Sequence, residues 1–259
     1  MNILVVGATG SIGRLVVEES LRQGHSVRAL VRSVERARSL PAKAEIAVGD
    51  LTQADSLSRA VAGVEGIVFT HGSDGGGKVG SETVDYGGVR NVLMALGSQK
   101  VRIALMTAIG VTNRATSYNR STESHDWKRR AERLVRASGH PYTIVRPGWF
   151  DYNASNEHRL EFLQGDTRKA GTSSDGAVAR SQIAEVLVAS LASEAAVRKT
   201  FELVATKGPA QENLDSLFAA LDADPVNALD GVRDDANQPL DKEPQRVREE
   251  LQNISAHRS

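Results

Sequence analysis

The feature that most constrains the fold is a glycine-rich loop between a short apolar run and an amphipathic helix near the start of the chain. The apolar run covers residues 3–6 and the helix is expected over residues 12–22. Glycine lets the backbone turn tightly and approach a pyrophosphate, and the amides at a helix N-terminus stabilise its charge. The loop therefore predicts a bound dinucleotide; the alternative is that the glycines serve only a tight strand-to-helix turn. The loop residues expected to contact the cofactor are Gly7, Thr9, Gly10, Ser11, Ile12 and Gly13.

Short apolar runs alternate with longer amphipathic segments as far as about residue 204. This alternation predicts an α/β fold with a doubly wound, mostly parallel sheet of about seven strands and helices on both of its faces. The strands are expected at residues 3–6, 26–31, 45–48, 66–69, 101–106, 142–145 and 200–204. The helices are expected at residues 12–22, 54–61, 82–96, 127–137 and 182–191.

No composition change divides the first 204 residues, so residues 1–204 are expected to form one dinucleotide-binding domain, with substrate-region insertions around residues 147–180. Residues 206–259 carry 11 acidic against 6 basic side chains. One amphipathic helix is expected at residues 213–221, followed by an acidic extension that either wraps the body or is partly disordered. Wrapping is favoured because three spaced apolar residues can anchor it: Leu229, Val232 and Leu240.

Composition excludes several classes of function. Lysine plus arginine equals aspartate plus glutamate at 32 each, which argues against a whole-surface field for nucleic acid or anionic lipid. The chain has no cysteine, which excludes disulfides, thiolate metal sites and thiol catalysis. No metal is expected, because no histidine or carboxylate pair has metal-ligand spacing. The N-terminus resembles no secretion signal, and no apolar run approaches the roughly 20 residues that span a bilayer. We therefore expect a cytoplasmic protein with a small-molecule substrate and no membrane partner, either a monomer or a homodimer.

The residue after the second strand bears on which dinucleotide is bound. An NAD site usually has a carboxylate there for the ribose hydroxyls, but this chain has Arg32, 19 residues after Gly13. A guanidinium can bind a 2′-phosphate, so the sequence favours NADP over NAD, unless Arg32 is a solvated surface residue. After the third strand, Asp50 and Leu51 are expected to contact the adenine. The alternative for Asp50 is a cap on the next helix.

Five motifs follow one another along the chain: the glycine loop, Gly-Asp-Leu at 49–51, VDYGGVRNV at 84–92, MTAIGV at 106–111 and YTIVRPG at 142–148. Together and in this order they resemble the atypical short-chain dehydrogenase/reductases, particularly their NmrA-like NAD(P)H-binding branch. The resemblance covers roughly residues 1–204 and implies a Rossmann-type sheet with the nicotinamide near the ends of strands four to six.

The resemblance also implies a Tyr-x-x-x-Lys pair on one helix and a Ser or Thr after strand five, the groups that move a proton and bind the ribose. Thr107 and Lys128 match the second and third of these residues. Ser124, however, stands where the tyrosine belongs, and Tyr118 is too far along the chain to share a helical face with Lys128. The usual acid is therefore absent.

The missing tyrosine separates two classes of function. The first is an NADPH-dependent reductase whose proton comes from another group or from water, or whose acceptor is a quinone-like or flavin-like ring that needs no strong acid. The second is an NmrA-like redox sensor that binds the dinucleotide and acts through a protein partner. The reductase is favoured because no partner surface is recognisable in the sequence; a non-redox isomerase is the least favoured.

Other candidate site residues follow the strand ends. His71 follows strand four in a glycine-dense loop and is expected to line the pocket, or else to be solvated. His125 is the candidate replacement acid, with a capping or surface role as the alternative. Trp149 and Phe150 can form a flat wall for an aromatic substrate; the alternative is that they pack their loop onto the core. Lys128 alone is expected to face the cofactor, with the rest of the basic run to Arg136 solvated. Further expected contacts to the cofactor are Thr70, His71, Pro147, Gly148 and Trp149, and Tyr86 is expected to contact the substrate.

Overall fold

The computed structural model describes residues 1–73 and 75–256. Among these residues the strands are β1 Asn2–Val6, β2 Ser26–Val31, β3 Glu45–Val48, β4 Gly66–Phe69, β5 Arg102–Met106, β6 Tyr142–Pro147, β7 Trp149–Phe150, β8 Arg159–Leu163, β9 Ala177–Val178 and β10 Lys199–Thr206. The α-helices are α1 Ser11–Arg22, α2 Ser58–Val61, α3 Gly77–Gly80, α4 Gly87–Leu96, α5 Ser117–Thr122, α6 Ser124–Ala137, α7 Arg180–Ala192, α8 Asp215–Ala219 and α9 Gln245–Ala256.

Eight strands form the main sheet in the order β3-β2-β1-β4-β5-β6-β10-β8. All neighbours are parallel except β8, which is antiparallel to β10 at the edge. The seven predicted strands are all present, and the predicted Rossmann-type fold is confirmed. The prediction missed β8 because its sequence, RLEFL, alternates polar and apolar residues instead of forming the continuous apolar run of a doubly buried strand.

Both faces of the sheet are covered, and successive residues of β1 enter opposite cores. Ile3 and Val5 join the core beneath α1 and α7, whereas Leu4 and Val6 join the core beneath α4, α6 and α9. The strand order reverses at β1, which lies between β2 and β4. In open α/β sheets, ligands bind at such a reversal, outside the carboxyl ends of the strands. The loop after β1 is the glycine loop, so the fold places it at this position.

The helix predicted over residues 82–96 is divided in the structure. A π-helical turn at Ser81–Tyr86 joins α3 to α4. The segment predicted as a helix at residues 54–61 is likewise a 3₁₀ turn, Ala54–Ser56, followed by α2. Periodicity did not predict the π turn, because one turn with a wider repeat leaves the surrounding apolar pattern almost unchanged.

The basic run on α6 was predicted to be solvated beyond Lys128, and this prediction is wrong. Four of its arginines are buried and form ion pairs with carboxylates of the segment after β10. The pairs, with N···O distances, are Arg129–Asp230 at 3.0 Å, Arg130–Glu243 at 2.7 Å, Arg133–Asp230 at 2.9 Å and Arg136–Asp224 at 3.1 Å.

The segment predicted as an acidic extension packs against α6 through these ion pairs, and the three apolar anchors predicted for it differ in burial. Leu229 and Val232 are half-buried, but Leu240 is exposed. The extension ends in α9, a helix that the sequence analysis missed, and this helix buries Val247 and Leu251 against the core beneath α4 and α6. The last three residues of the predicted extension, 257–259, lie outside the described residues.

Across residues 1–73 and 75–256, no helix combines the length and the apolar character needed to cross a bilayer.

Candidate functional site

The glycine loop packs directly against the end of β4. Gly7 has φ +86°, and a Cβ atom on it would lie 2.7 Å from the backbone nitrogen of His71. A Cβ atom on Gly13 would overlap the carbonyl oxygen of Gly7 and lie 2.9 Å from Thr70 Oγ1. The Thr70 hydroxyl donates a hydrogen bond to the carbonyl oxygen of Val6 at 3.0 Å, which ties the ends of β4 and β1 together. Glycine is therefore required at positions 7 and 13 by close backbone approach.

The start of α1 suits an anion. Gly10 occupies the N-cap, no side-chain cap is formed there among the described residues, and the first turn has no acidic residue. A helix N-terminus presents amides without intrahelical acceptors and a positive partial charge. Ile12 is buried in the core, so only its backbone is available to a ligand, whereas the side chain of Ser11 is exposed. These residues fit the pyrophosphate of a dinucleotide.

Gly13→Ala is expected to weaken NAD(P)H binding at least tenfold, because the new methyl group must displace the Gly7 carbonyl and distort the loop. Tenfold corresponds to about 1.4 kcal/mol of binding free energy. The measurement is fluorescence titration of NADPH, with Arg22→Ala as the control because that side chain is exposed at the opposite end of α1. Unchanged affinity in a folded Gly13→Ala protein would show that the loop does not hold the cofactor.

The candidate adenosine contacts lie at the ends of β2 and β3. Arg32 is exposed, as a ligand-binding arginine requires, but exposure alone equally suits a surface role. Asp50 Oδ1 accepts hydrogen bonds from the backbone nitrogen and the hydroxyl of Thr52, each at 2.8 Å. These bonds, and more weakly the charge of Arg32, lower the pKa of Asp50. Asp50 therefore stabilises its own turn and does not cap the next helical turn, whose N-cap is Gln53. Leu51 is half-buried and packs near Gly88.

A cluster of polar groups lies beyond β4. Lys128 Nζ on α6 is 3.1 Å from Asp85 Oδ2, and the side chain of Asp85 is 2% exposed. Asp85 also accepts hydrogen bonds from the backbone nitrogen and the hydroxyl of Ser73, both at 3.0 Å. His71 Nε2 is 3.1 Å from the carbonyl oxygen of Val84, and burial lowers the pKa of His71. Asp85 belongs to the VDYGGVRNV motif, but no local pattern in the sequence indicates a role for it.

Thr107 follows β5 as predicted, but its hydroxyl proton already has a partner. Thr107 Oγ1 donates to Glu132 Oε1 at 2.7 Å, and both side chains are buried. Burial raises the pKa of Glu132, but Arg146 and Arg136 outweigh this effect and hold it at about 2. Thr107 therefore faces an ionised carboxylate and cannot donate the same proton to a substrate.

His125, the candidate replacement acid, is half-buried, with Nδ1 3.3 Å from the carbonyl oxygen of Asn113. Burial lowers its pKa, which favours a neutral ring and weakens the case for a strong acid. The chain turns at Glu123, where φ is +53°, and this turn brings the ring of Tyr118 to 5.6 Å from that of His125, centroid to centroid. Helical spacing does not apply to Tyr118, because the helix breaks at Glu123 between α5 and α6.

The two aromatic residues of β7 behave differently. Trp149 is 38% exposed and makes an edge-on contact with Tyr152, with ring centroids 6.0 Å apart. Phe150 is half-buried, beneath the guanidinium of Arg180. Gly148 precedes them at a point where a Cβ atom would overlap the carbonyl oxygen of Gly176, and Pro147 ends β6 in the sheet. Trp149 thus remains available as a wall, whereas Phe150 packs within its loop.

The structure does not support the expectation that Tyr86 contacts substrate. Its side chain is fully buried, its ring lies 5.3 Å from that of Trp127, and its hydroxyl donates to Glu250 Oε2 at 2.5 Å. Burial and the neighbouring Glu250 carboxylate raise the pKa of Tyr86. The partner lies on α9, which the sequence analysis did not predict, so Tyr86 was mistaken for a site residue.

Arg180 is a neighbour of the glycine loop that the sequence analysis missed. Its Nε donates to Ser11 Oγ at 3.1 Å, and its guanidinium pairs with Asp151. A cavity of about 320 Å³ lies beside this contact, lined by Ser11, Arg14, Leu15, Glu18, Ser39 and Arg180. No local pattern marks Arg180, because its proximity to the loop depends on the packing of α7 against α1.

Known proteins resemble this chain in the region that holds the site. A relative from Bacillus subtilis (strain 168), the uncharacterized sugar epimerase YhfK, is 30% identical over 224 residues, 84% of this chain and 100% of that protein. A putative NAD-dependent epimerase/dehydratase from Bacillus halodurans has the same fold, with a TM-score of 0.69, 24% identity and coverage of 81% of this chain and 96% of that one. ChuY, an anaerobillin reductase from Escherichia coli O157:H7, also shares it, with a TM-score of 0.62, 20% identity and coverage of 79% and 97%. A family model described as NAD(P)H-binding matches residues 7–194, which include the glycine loop and Lys128, and the chain belongs to this NAD(P)H-binding family.

Proposed function

We propose that this protein is an NADPH-dependent reductase that transfers hydride to a small aromatic or quinone-like acceptor. The observation that carries the proposal is the convergence of the glycine loop and Lys128 at one end of the sheet. The backbone of His71 packs against Gly7, and Ser73, two residues later, is hydrogen-bonded to the carboxylate that binds Lys128. A cofactor with its pyrophosphate at α1 would extend toward Lys128, which would bind its nicotinamide ribose.

The kind of hydride acceptor is inferred from the few groups near Lys128 that could donate a proton to a substrate. Ser124 replaces the expected tyrosine, the proton of Thr107 is donated to Glu132, and the low pKa of His125 favours a neutral ring. A ring system that accepts hydride and takes its proton from water needs no strong general acid. The exposure of Trp149 supports an aromatic acceptor. ChuY, which has the same fold, is described as an anaerobillin reductase, and this description is consistent with the proposal.

The preference for NADPH is expected to depend on Arg32. NADPH should bind at least tenfold tighter than NADH, and Arg32→Ala should weaken NADPH binding by roughly 1.5–3 kcal/mol, the range for a charge-assisted contact, with little effect on NADH. Fluorescence titration of both cofactors measures this, and Lys43→Ala, which removes another exposed cation from the β2–β3 connection, is the matched control. Equal losses for the two cofactors would mean that Arg32 does not bind the 2′-phosphate.

The reaction itself is tested by NADPH oxidation with menadione, FMN and acetophenone as acceptors. Sustained turnover is expected with menadione or FMN, since neither needs a positioned acid. Tight NADPH binding without turnover on any of the three would contradict the reductase. If a protein partner also co-purified, a dinucleotide-responsive regulator would become the better account.

A further inference from the structure

Asp85 occupies an unusual position in the chain. It lies in the π-helical turn between α3 and α4, and π turns are rare and occur often at functional sites. Its side chain is 2% exposed, although a buried carboxylate is costly unless its oxygens are paired. The structure supplies three donors, two from Ser73 and one from Lys128.

These donors come from two separate elements. Ser73 belongs to the segment that leaves β4 beside the glycine loop, whereas Lys128 lies on α6, 55 positions later in the chain. The Asp85 carboxylate therefore connects the segment after β4 to Lys128, because it accepts hydrogen bonds from Ser73 and pairs with the lysine ammonium group. Lys128 is itself 21% exposed, so solvent or a ligand can still reach it.

We propose that Asp85 is a positioning residue, which orients Lys128 toward the cofactor and fixes Ser73 relative to it. This inference rests on the proposed function. An ammonium group has three N–H donors, and one bond to Asp85 leaves two for the hydroxyls of a ribose. Without the carboxylate, the flexible lysine stem samples several rotamers and must be ordered again when the cofactor binds.

The test is a double-mutant cycle on NADPH binding by the full chain, followed by fluorescence. Asp85→Asn is expected to raise the Kd for NADPH about tenfold, because the amide has one acceptor oxygen and no charge with which to hold Lys128. Lys128→Met should raise it by a similar or larger factor. The double variant should bind no more weakly than Lys128→Met alone, since Asp85 acts only through the lysine. Asp85→Glu should recover part of the affinity.

Thermal unfolding of the same variants separates positioning from a merely structural role. Lys128→Met leaves Asp85 buried without its cation, so its Tm should fall, and adding Asp85→Asn should raise the Tm again while binding stays weak. The matched control is Asp126→Asn, because Asp126 lies on α6 with Lys128 and pairs with Arg114 of the segment before α5. Its Tm should fall while its Kd is unchanged. If Asp85 and Lys128 affected binding only through the stability of the fold, the affinity of the double variant would recover together with its Tm.

The outcomes distinguish this inference from the function on which it rests. If the wild-type protein binds neither NADPH nor NADH, the proposed function fails. If the wild type binds NADPH and either the folded Asp85→Asn variant or the Lys128→Met variant binds it equally well, the role of Asp85 is refuted while NADPH binding itself stands. Additive losses in the double variant would also refute the role, since they would show that Asp85 and Lys128 act independently.

Discussion

Glu132→Ala is expected to lower the free energy of unfolding by about 3–5 kcal/mol, the usual cost of removing one partner from a buried ion pair. The carboxylate is fully buried and accepts hydrogen bonds from Arg146 Nε at 3.0 Å and Arg146 Nη2 at 2.7 Å. It also pairs with Arg136 at 3.3 Å and accepts the proton of Thr107. The substitution leaves Arg146 and Arg136 with only their remaining carboxylates and leaves Thr107 without its acceptor.

Urea unfolding measures this loss, and Glu194→Ala is the control, because Glu194 pairs with Arg102 but is 90% exposed. The control should change stability by less than about 1 kcal/mol. A loss below this value in Glu132→Ala would show that the cluster does not stabilise the fold.

The stability that Glu132 contributes is expected to depend on pH, which gives a second test of this prediction. The pKa of Glu132 is about 2 in the folded state, below the ordinary value of 4.5. An acid whose folded pKa is lowered stabilises the protein above its unfolded pKa, and this contribution disappears as the pH falls through the folded value. The stability difference between the wild type and Glu132→Gln should therefore shrink as the pH falls from about 4.5 toward 2. A stability difference that stayed constant over this pH range would contradict the lowered pKa of Glu132 in the folded state.

The buried charges on α6 show why part of the fold was not predictable from local patterns. A helical run such as KRRAERLVR is typical of a solvated face, because isolated charges are almost never buried. Here the arginines are buried because partners such as Asp230 and Glu243 come from a segment about 100 residues later. One signal was in the sequence: the acidic excess after residue 206 complements the basic run on α6.

Site residues could be predicted where neighbouring residues in the sequence are enough to indicate their role. The glycine loop is such a case, since strand, glycines and helix are contiguous in sequence. Contacts between residues far apart in the sequence were not predictable. Asp85 lies in a π turn and pairs with Lys128, and the ring of Tyr118 contacts that of His125 across a helix break. The Tyr86 hydroxyl donates a hydrogen bond to a carboxylate of α9. Each depends on a backbone path that hydrophobic periodicity does not encode.

A chain that ends at Asp222 is expected to lose cooperative folding. The deletion removes α9, whose Val247, Leu251 and Ile254 are buried, and burial of such side chains stabilises a protein by roughly 1.5–3 kcal/mol each. It also removes Asp224, Asp230 and Glu243, leaving four buried arginines of α6 without those partners. The apolar loss alone, on the order of 5–9 kcal/mol, approaches the whole stability of a typical domain.

Circular dichroism during heating tests this expectation, with a chain that ends at Ala256 as the control. The shorter chain should show no cooperative transition and no NADPH binding, whereas the control should match the full chain in both. A synthetic peptide of residues 223–256, added in excess, should restore part of the transition if the segment acts by pairing with α6. A shorter chain that melted cooperatively near the temperature of the full chain would show that the acidic segment covers α6 without stabilising it. The buried arginines would then have to be satisfied within the remaining residues, and Glu132 would be the first carboxylate to examine, because it already lies between Arg136 and Arg146.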